Sequence, residues 1–503
     1  MAASLGVAGR CGLSSRLAYR GSRYCVVTTV PPAPRAHRFG ELVPSVDRPG
    51  PSPEAGSCLS SFPGRGRARR EDGHLFDLVV RGGEVMDPAT GERGRCDVAV
   101  ADGWIVSMAP TIASELAAGV VDAQGCVVLP GLIDLHTHVL SSATFWGVDP
   151  RPVAWRTGVT TWVDAGSSGA YNLAALHELS VTRAPLHTRA FVNISAIGLV
   201  AETGETQREE LCDPAVCAAA MAAHGGFVAG VKCRLGGATS SGMGLVPLRR
   251  AIEAAEAVGA PVMAHIAAGP PDIDDVLDLL RPGDIVTHCT TGQSMSIVDR
   301  SGKVRSSAAR AHERGVLFDV GHGSGGFSFA VAEAMLAGGL LPDVISSDLH
   351  QRSIVGPGFD LPTCMSKFLV LGMSLEDVVR AVTVNPSRAL GDSLGTGGIE
   401  VGSRADLAVF ELVSGEFFLY DTYLERRAAP RLLVNRATIV AGVLLPSVPA
   451  APPAHWIELT ERQRSQMGRR AAELRFPWAA SLTQPEDFMR PTIEGPPCAD
   501  QRI

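Results

Sequence analysis

Ionisable side chains stand at or near the carboxyl ends of six short apolar runs in the middle of this 503-residue chain. The runs read as β-strands, and residues two apart on a strand point to the same side. His136 and His138, in the run GLIDLHTH, would therefore face one centre, where two imidazoles can chelate one cation. An H-x-H pair alone is weak evidence, because most such pairs bind no metal. The other ionisable residues at these ends are Asp164, Lys232, His265, His288 and Asp348.

Lys232 would lie on the inner side of the fourth run, where an ammonium group is costly to bury. The side chain could instead turn outward or pair with Asp348. Burial lowers the pKa of a lysine, however, and a neutral amine reacts with CO2 to form a carbamate whose two oxygens can bridge two metals. A carbamate, Asp348 and a hydroxide nearly balance the charge of two divalent cations, whereas an ammonium would leave the centre strongly positive.

His265 and His288 end the fifth and sixth runs and offer the two nitrogens that a second zinc ion would need. Each could equally be a hydrogen-bonded histidine of the core. Asp348, in the eighth run, would face the same centre, although an aspartate at a strand end could also cap the following helix.

Two further residues are candidates for substrate binding. Arg234, two residues after Lys232, could hold a substrate carboxylate with two hydrogen bonds or form a salt bridge at the rim. His322 stands in the glycine-rich segment GHGSGG, where the backbone can approach a substrate closely. Asn193 and Asp164, at other strand ends, are weaker candidates for orienting the ligands.

The elements that would position these residues are eight apolar runs alternating with amphipathic helical patterns over residues 131–394. This pattern predicts an α/β fold, a (β/α)8 TIM barrel, which typically needs ~250 residues and carries its active site at the carboxyl ends of the strands. A doubly wound open sheet is less favoured, because no G-x-G-x-x-G sequence opens a helix after the first run.

Short alternating runs also precede and follow the barrel. Residues 75–130 contain FDLVVRGGEVMDP and CDVAVADGWIVSMAP, with a turn signal at Asp87-Pro88 and a hairpin signal at Asp102-Gly103. Residues 395–446 contain a matching set, so we predict that both ends of the ordered chain form one small β-sandwich.

The two ends of the sequence have a different composition. Residues 1–70 hold eleven arginines and three acidic residues, which leaves a net charge of −15 on the other 433 residues. An Arg- and Ser-rich, acid-poor start is typical of an organelle transit peptide, although an unstructured extension or a misassigned start would look similar. We expect a disordered extension over residues 1–74, and a linker, a short helix from Leu459 to Leu474 and a loose tail over residues 447–503.

Composition argues against several classes of protein. The net charge of −7 disfavours a general nucleic-acid binder, and the chain has no uninterrupted apolar run of membrane-spanning length. The 11 cysteines lack paired spacing, which is typical of reduced, intracellular thiols. We expect a small-molecule substrate, no nucleic-acid or membrane partner, and an intracellular location, in mitochondria or plastids if the N-terminus is a transit peptide and in the cytoplasm otherwise. Formation of a homo-oligomer is left open.

Taken together, PGLIDLHTH, the lysine in GVKCR, the two separated histidines and the aspartate in SSDLH resemble the amidohydrolase superfamily. GVTTWVDAGSSGA, GHGSGGFSF and TVNPSRALG followed by GGIEVGSRADLAVF are similar to its dihydroorotase-related, deacetylase-like branch. The resemblance covers about Phe76 to Leu445 and implies two divalent metal ions, usually zinc, bridged by a hydroxide and by N6-carboxylated Lys232. The ligands implied for the first metal are His136, His138, Lys232 and Asp348, and those for the second are Lys232, His265 and His288.

The same resemblance implies hydrolysis of an amide or ester by attack of the bridging hydroxide, with Asp348 as the catalytic acid–base. Dihydroorotases carry an arginine two places after the second histidine of H-x-H, where this chain has Leu140. Removal of a small acyl group from an N-acyl amino or hydroxy acid is therefore the favoured function. A cyclic amide hydrolase is the alternative, and a non-catalytic scaffold on the same fold is disfavoured because every predicted ligand is retained.

Overall fold

The computed structural model describes residues 73–391, 397–423 and 425–447. The predicted N-terminal extension, apart from its last two residues, and the predicted C-terminal helix and tail lie outside this part of the chain. The domain boundaries drawn from the sequence therefore stay predictions. Within the described residues, none of the helices has the length and apolar character needed to cross a bilayer, and the seven cysteines are all buried.

Seven short strands precede the barrel, as the alternating runs predict. Asp102 and Gly103 both have positive φ, 53° and 83°, which is the conformation that a two-residue hairpin turn requires. The strands are β1 (Phe76–Arg81), β2 (Glu84–Asp87), β3 (Glu92–Arg95), β4 (Asp97–Ala101), β5 (Trp104–Ala109), β6 (Ala117–Asp122) and β7 (Val127–Pro130).

Seven parallel strands then form one sheet in which neighbours in sequence are neighbours in space. A doubly wound sheet would reverse its strand order at a switch point, so this order confirms the barrel. The strands are β8 (Leu132–Thr137), β9 (Val159–Gly169), β10 (His187–Asn193), β11 (Val228–Arg234), β12 (Val262–His265), β13 (Ile285–Thr287) and β14 (Leu317–Asp319).

The eighth run closes the ring through two isolated bridges rather than as a continuous strand, which corrects the prediction of a full eighth strand. Val344 pairs with Asp319 at the end of β14, and Leu349 pairs with Thr137 at the end of β8, both in parallel. Between the bridges, Asp348 has a φ of 45°. This left-handed conformation is incompatible with an extended strand, so the ladder cannot continue through it.

Helices connect the strands, and their first turns carry ordinary start signals. For example, the side chain of Asp213 accepts hydrogen bonds from Ala215 and Val216, and Pro214 occupies the first turn. The helices are α1 (Arg151–Ala154), α2 (Leu173–Thr182), α3 (Pro214–Ala223), α4 (Val246–Glu256), α5 (Ile273–Leu279), α6 (Ser306–Glu313), α7 (Phe329–Ala337), α8 (Leu361–Val370), α9 (Leu375–Arg380) and α10 (Val384–Ala389).

Two sets of buried apolar side chains hold the barrel together. The larger set lies between strands and helices and includes Trp162, Cys233, Cys289 and Phe318. A smaller, separate set comes from the strands, the eighth run and the residue after α10, as expected for a filled barrel interior. Its buried members are Ile133, Leu135, Val163, Ala165, Phe191, Met263, Ile285, Val344 and Leu390.

Three late strands return to the N-terminal strands: β15 (Leu407–Tyr420), β16 (Arg426–Val440) and β17 (Val443–Leu444). Strand β15 pairs with β7, giving a six-stranded sheet of order β17-β16-β15-β7-β2-β3 beside a four-stranded sheet of order β5-β4-β1-β6. Residues of both sheets share one apolar core. The predicted sandwich built from both ends of the ordered chain is therefore confirmed.

The β15–β16 hairpin extends beyond this sandwich and packs on the barrel. The amide of Leu433 donates to Oγ of Ser366 on α8 over 3.0 Å. Near its tip, the amide of Thr422 donates to the carbonyl of Phe327 over 3.1 Å, and the hydroxyl of Tyr423 accepts from the amide of Gly292 over 3.0 Å. The hairpin thus supports the loops that follow β13 and β14.

Candidate metal centre

The predicted ligands lie together at the carboxyl ends of the barrel strands. One donor atom from each of His136, His288 and Asp348 lies within 4.8 Å of the other two. Nε2 of His138 is 3.1 Å from Oδ1 of Asp348, and the ring centroid of His265 is 4.3 Å from that of His288. These five side chains come from β8 and the residue after it, β12, the residue after β13 and the eighth run, as the barrel geometry requires.

Lys232, the sixth predicted ligand, points into the same centre from β11. Its Nζ lies 3.0 Å from Nε2 of His136, and the residue is only 2% exposed. Gly166 makes room for it, because a Cβ at that position would lie 2.6 Å from Cβ and Cγ of Lys232. Burial lowers the pKa of Lys232 to about 8, so a neutral amine is accessible near physiological pH.

Hydrogen bonds outside the centre determine which ring nitrogens face it. Nδ1 of His136 lies 2.8 Å from Oγ1 of Thr287, and that hydroxyl donates its own proton to Asp319 over 2.6 Å. The Thr287 oxygen must therefore accept from Nδ1–H, which leaves a lone pair on Nε2. Nδ1 of His288 bonds to the carbonyl of Gly321, which can only accept, so its Nε2 also carries a lone pair.

The resulting donor set fits a cation. Oδ1 of Asp348 is buried without a hydrogen-bond partner in the described part of the chain, although Nε2 of His138 and Nε2 of His136 lie 3.1 and 3.4 Å away. Burial lowers the pKa of His136 well below its usual range, that of His138 to about 3 and that of His288 to about 4, so these imidazoles are neutral. Nitrogen lone pairs beside an unpartnered carboxylate oxygen are the ligands that zinc takes in proteins.

The GHGSGG loop, residues 321–326, packs directly on two of these side chains. A Cβ at Gly323 would overlap Oδ2 of Asp348, and one at Gly326 would overlap Nδ1 of His288. His288 and Asp348 themselves have φ of 68° and 45°, conformations that cost of order 1–3 kcal/mol in a non-glycine residue. Strain of this kind is concentrated at functional sites.

His322, the second residue of that loop, is fully buried, and both of its ring nitrogens have protein partners. Nε2 lies 2.6 Å from Nζ of Lys367, and Nδ1 lies 2.9 Å from the carbonyl of Gly323. Its role in substrate binding stays a prediction. Sequence reasoning missed Lys367, although it is one of only three lysines in the chain and could have been singled out by that rarity.

Arg234 forms the rim salt bridge that the sequence left open. Its Nε lies 2.8 Å from Oε1 of Glu205, and its Nη2 donates to Oε2 of Glu205 and to the carbonyl of Glu202 over 2.9 and 3.0 Å. Binding of a substrate carboxylate by this residue stays a prediction.

Asp164 and Asn193 act on the backbone around the centre. Asp164 accepts from the amides of Val139 and Leu140 over 2.8 and 3.2 Å, which fixes the chain just after His138. Nδ2 of Asn193 donates to the carbonyl of Gly166 over 3.0 Å. Sequence reasoning missed Thr287 and Asp319, which end β13 and β14 and so carried the same positional signal as the ligands.

Comparison with known proteins agrees with this geometry. The model of the amidohydrolase family matches residues 127–445. Deacetylase Atu3266 of Agrobacterium fabrum is 35% identical over 351 residues, covering 68% of this chain and 85% of the relative. A deacetylase of Enterococcus faecalis is 31% identical over 375 residues, covering 73% of this chain and 98% of the relative.

Solved structures show the same relationship. Crystal structures of an adenine deaminase and of a dihydroorotase each have a TM-score of 0.68 and 30% sequence identity to this chain. The first similarity covers 73% of this chain and 99% of the deaminase, and the second covers 74% and 98%. With a family match over most of its described residues and near full-length relatives, this chain belongs to the amidohydrolase family, in its deacetylase-like branch, and is a hydrolase of carbon–nitrogen bonds.

Proposed function

We propose that this amidohydrolase removes a small acyl group, such as acetyl, from an N-acyl amino or hydroxy acid at a centre of two zinc ions. The observation that carries the proposal is the grouping of one donor atom from each of His136, His288 and Asp348 within 4.8 Å of one another, where Oδ1 of Asp348 has no hydrogen-bond partner in the described part of the chain. The relatives named deacetylases, which match this chain over most of their length, support the acyl group.

The residues divide into two sets of metal ligands. His136, His138 and Asp348 would hold the first ion, and His265 and His288 the second. Lys232, as a carbamate, would bridge the two ions. The closeness of Lys232 to His136 and its lowered pKa support this assignment, because only a neutral amine forms the carbamate.

The bound ions would supply Lewis acidity, which lowers the pKa of water and polarises the scissile carbonyl. Asp348 accepts the proton that the attacking water loses and passes it to the leaving nitrogen, as a general base and then a general acid. Thr287 and Asp319 hold His136 in the tautomer that presents Nε2 to the centre. Arg234 and His322 are the residues that we propose to bind the substrate.

Hydrolysis of a cyclic amide is the second candidate. The crystal structure named a dihydroorotase supports it, with a TM-score of 0.68 and 30% sequence identity to this chain. Leu140, where dihydroorotases carry a carboxylate-binding arginine, argues against that activity. The side chain of leucine has no hydrogen-bond donor for a substrate carboxylate. In this chain it is also fully buried in the apolar core of the barrel.

A hydrolysis screen tests the proposal. Protein loaded with zinc in the presence of bicarbonate would be given N-acetyl amino acids, O-acetyl hydroxy acids, dihydroorotate, hydantoins and adenine. We expect release of acetate from the acyl acids to exceed every other reaction. Preferred ring opening would replace the proposal with the cyclic-amide alternative, preferred deamination of adenine would contradict both, and a lack of bound zinc would point to a scaffold.

The carbamate has a test that does not depend on activity. Metal-free protein would be loaded with zinc and 13C-labelled bicarbonate, and the carbamate carbon would be observed by NMR. A variant in which Met replaces Lys232 serves as the control and should give no such signal. Two bound zinc ions without a labelled carbamate would contradict the bridge.

A further inference from the structure

Five side chains form a cluster beside the metal centre, and we call them the rim cluster. Arg352 and Arg234 both lie near the indole ring of Trp146, with Cζ 4.8 and 6.0 Å from its centroid. Glu202 joins all three, because its carbonyl accepts from Nε1 of Trp146 over 3.1 Å and from Nη2 of Arg234, and its carboxylate accepts from Nη2 of Arg352 over 2.8 Å. Glu205 completes the cluster.

The rim cluster adjoins the reacting centre from two directions. His350 lies between them, with Nε2 3.8 Å from Oδ2 of Asp348 and its ring centroid 4.8 Å from that of Trp146. Arg234 follows Lys232 by two residues on β11, so both side chains leave the same face of the strand. The rim cluster therefore borders the side of the centre on which Asp348 and His350 lie.

Arg352 has donors that the protein does not use. A guanidinium carries five N–H groups, and in the described residues Arg352 gives only Nη2 to an acceptor. Its Nε is buried without a hydrogen-bond partner, and the side chain is only 9% exposed. A buried donor without an acceptor is unfavourable, so the arrangement favours a ligand that supplies acceptor oxygens.

The charges of the rim cluster permit an exchange of partners. The carboxylate of Glu205 is 4% exposed and holds Arg234 in place, whereas that of Glu202 is 28% exposed. Glu202 can therefore turn to solvent when another carboxylate arrives, and Arg352 keeps an anionic partner throughout. Arginine prefers to bind a carboxylate through two parallel hydrogen bonds, and Arg352 forms only one with Glu202.

We propose that Arg352, held over the face of Trp146, binds the carboxylate of the substrate and makes the enzyme select acids over neutral acyl compounds. Nη1 of Arg234, which has no acceptor among the described residues, provides a second donor to the same group. This inference rests on the proposed deacylase function, which supplies the substrate, but it concerns a residue that the reaction chemistry does not require.

The test compares N-acetylalanine with its methyl ester, two amides that differ in the negative charge. In the variant R352M, kcat/KM for the acid should fall by about 10- to 100-fold, the loss expected for hydrogen bonds to a charged group, while kcat/KM for the ester stays near wild type. R352K should restore part of the acid activity, and R310M, at a residue 57% exposed on α6, should change neither substrate. Equal losses on both substrates, or no loss on the acid, would overturn the proposal.

A binding measurement separates this inference from the proposed function. Titration calorimetry with N-acetylalanine would be done on zinc-loaded wild type and on R352M with matched zinc content and circular dichroism. Binding that weakens in R352M supports the carboxylate contact even if wild type fails to hydrolyse the compound, in which case only the deacylase function fails. Equal affinity in both proteins, or no binding to either, would overturn the role of Arg352.

Discussion

Nζ of Lys367 on α8 lies 2.6 Å from Nε2 of His322, so a buried amine supports the GHGSGG loop from this helix. Nζ also donates to the carbonyl of Pro357 over 2.8 Å and faces the ring of Phe327 at 5.3 Å. No carboxylate of the described chain forms a salt bridge with it, and burial lowers its pKa to about 8. The hydrogen bond keeps the His322 proton on Nδ1, where it bonds to the carbonyl of Gly323.

Replacing Lys367 with Met should loosen the loop and slow catalysis. The change removes the donor to Nε2 of His322 and to Pro357, and the loop backbone that packs on Asp348 is then less well fixed. We expect kcat to fall roughly 10- to 100-fold, since displacement of about 1 Å can cost that much, with zinc content unchanged. Met at the exposed Lys303 is the matched control. Wild-type kcat in the Lys367 variant would show that the contact is dispensable.

Alanine at Gly323 should be far more harmful than alanine at Gly325 of the same loop. The new Cβ at Gly323 would overlap Oδ2 of Asp348, and its φ of 53° strains any other residue, whereas a Cβ at Gly325 would lie 3.6 Å from Nε2 of Gln293 and clash with nothing. We expect G323A to lower kcat/KM by about 100-fold or more and G325A to stay within about threefold. Steady-state kinetics with one N-acyl acid measures both, and similar activities would refute the contact.

Met at Lys232 should remove the bridge between the two metals. The substitution keeps much of the side-chain volume but cannot form a carbamate. Elemental analysis after zinc loading should give two zinc ions per chain in wild type and at most one in the variant, with activity lowered by roughly 100-fold or more. Met at Lys303 again provides the control. A variant that retains two zinc ions and full activity would disprove the bridging role.

The rate at which the metal-free protein regains activity after zinc is added should depend on pH, because the amine of Lys232 must be neutral to react with CO2. Its pKa is lowered from 10.5 to about 8, and only the neutral amine reacts with CO2. The neutral fraction falls tenfold for each pH unit below 8, so roughly a tenth of the amine is reactive at pH 7. At constant dissolved CO2 and zinc, the reactivation rate should rise about tenfold from pH 6 to pH 7 and level off above pH 8. A rate that is flat over this range would contradict a carbamate-forming lysine.

Sequence reasoning located the site better than it described the groups around it. The positions of His136, His138 and Lys232 follow from strand periodicity and from the rule that barrel sites lie at strand ends, both of which are local. The partner of Lys367 is not local, because α8 and the GHGSGG loop meet only after the barrel closes. The left-handed φ of Asp348, which interrupts the eighth strand, likewise arises from tertiary packing that no spacing pattern encodes.

The side-chain pairs of the rim cluster could be predicted only in part, for a related reason. Arg234 could be identified because it shares a strand with Lys232, and the sequence left both a salt bridge and a substrate contact open. Its partners Glu202 and Glu205 lie in the connection after β10, and Arg352 lies after the eighth run. Irregular connections carry no periodicity, so their side-chain pairings cannot be read from one sequence.

The tip of the β15–β16 hairpin has a consequence for the order in which the protein matures on the ribosome. Its Tyr423 accepts from the amide of Gly292 and donates to the carbonyl of Gly325, yet it is translated about a hundred residues after these loops. A nascent chain with every barrel strand emerged still lacks both this support and β15, one of the two strands that pair with β7. Hydrolytic competence should therefore arise only when translation has passed the hairpin.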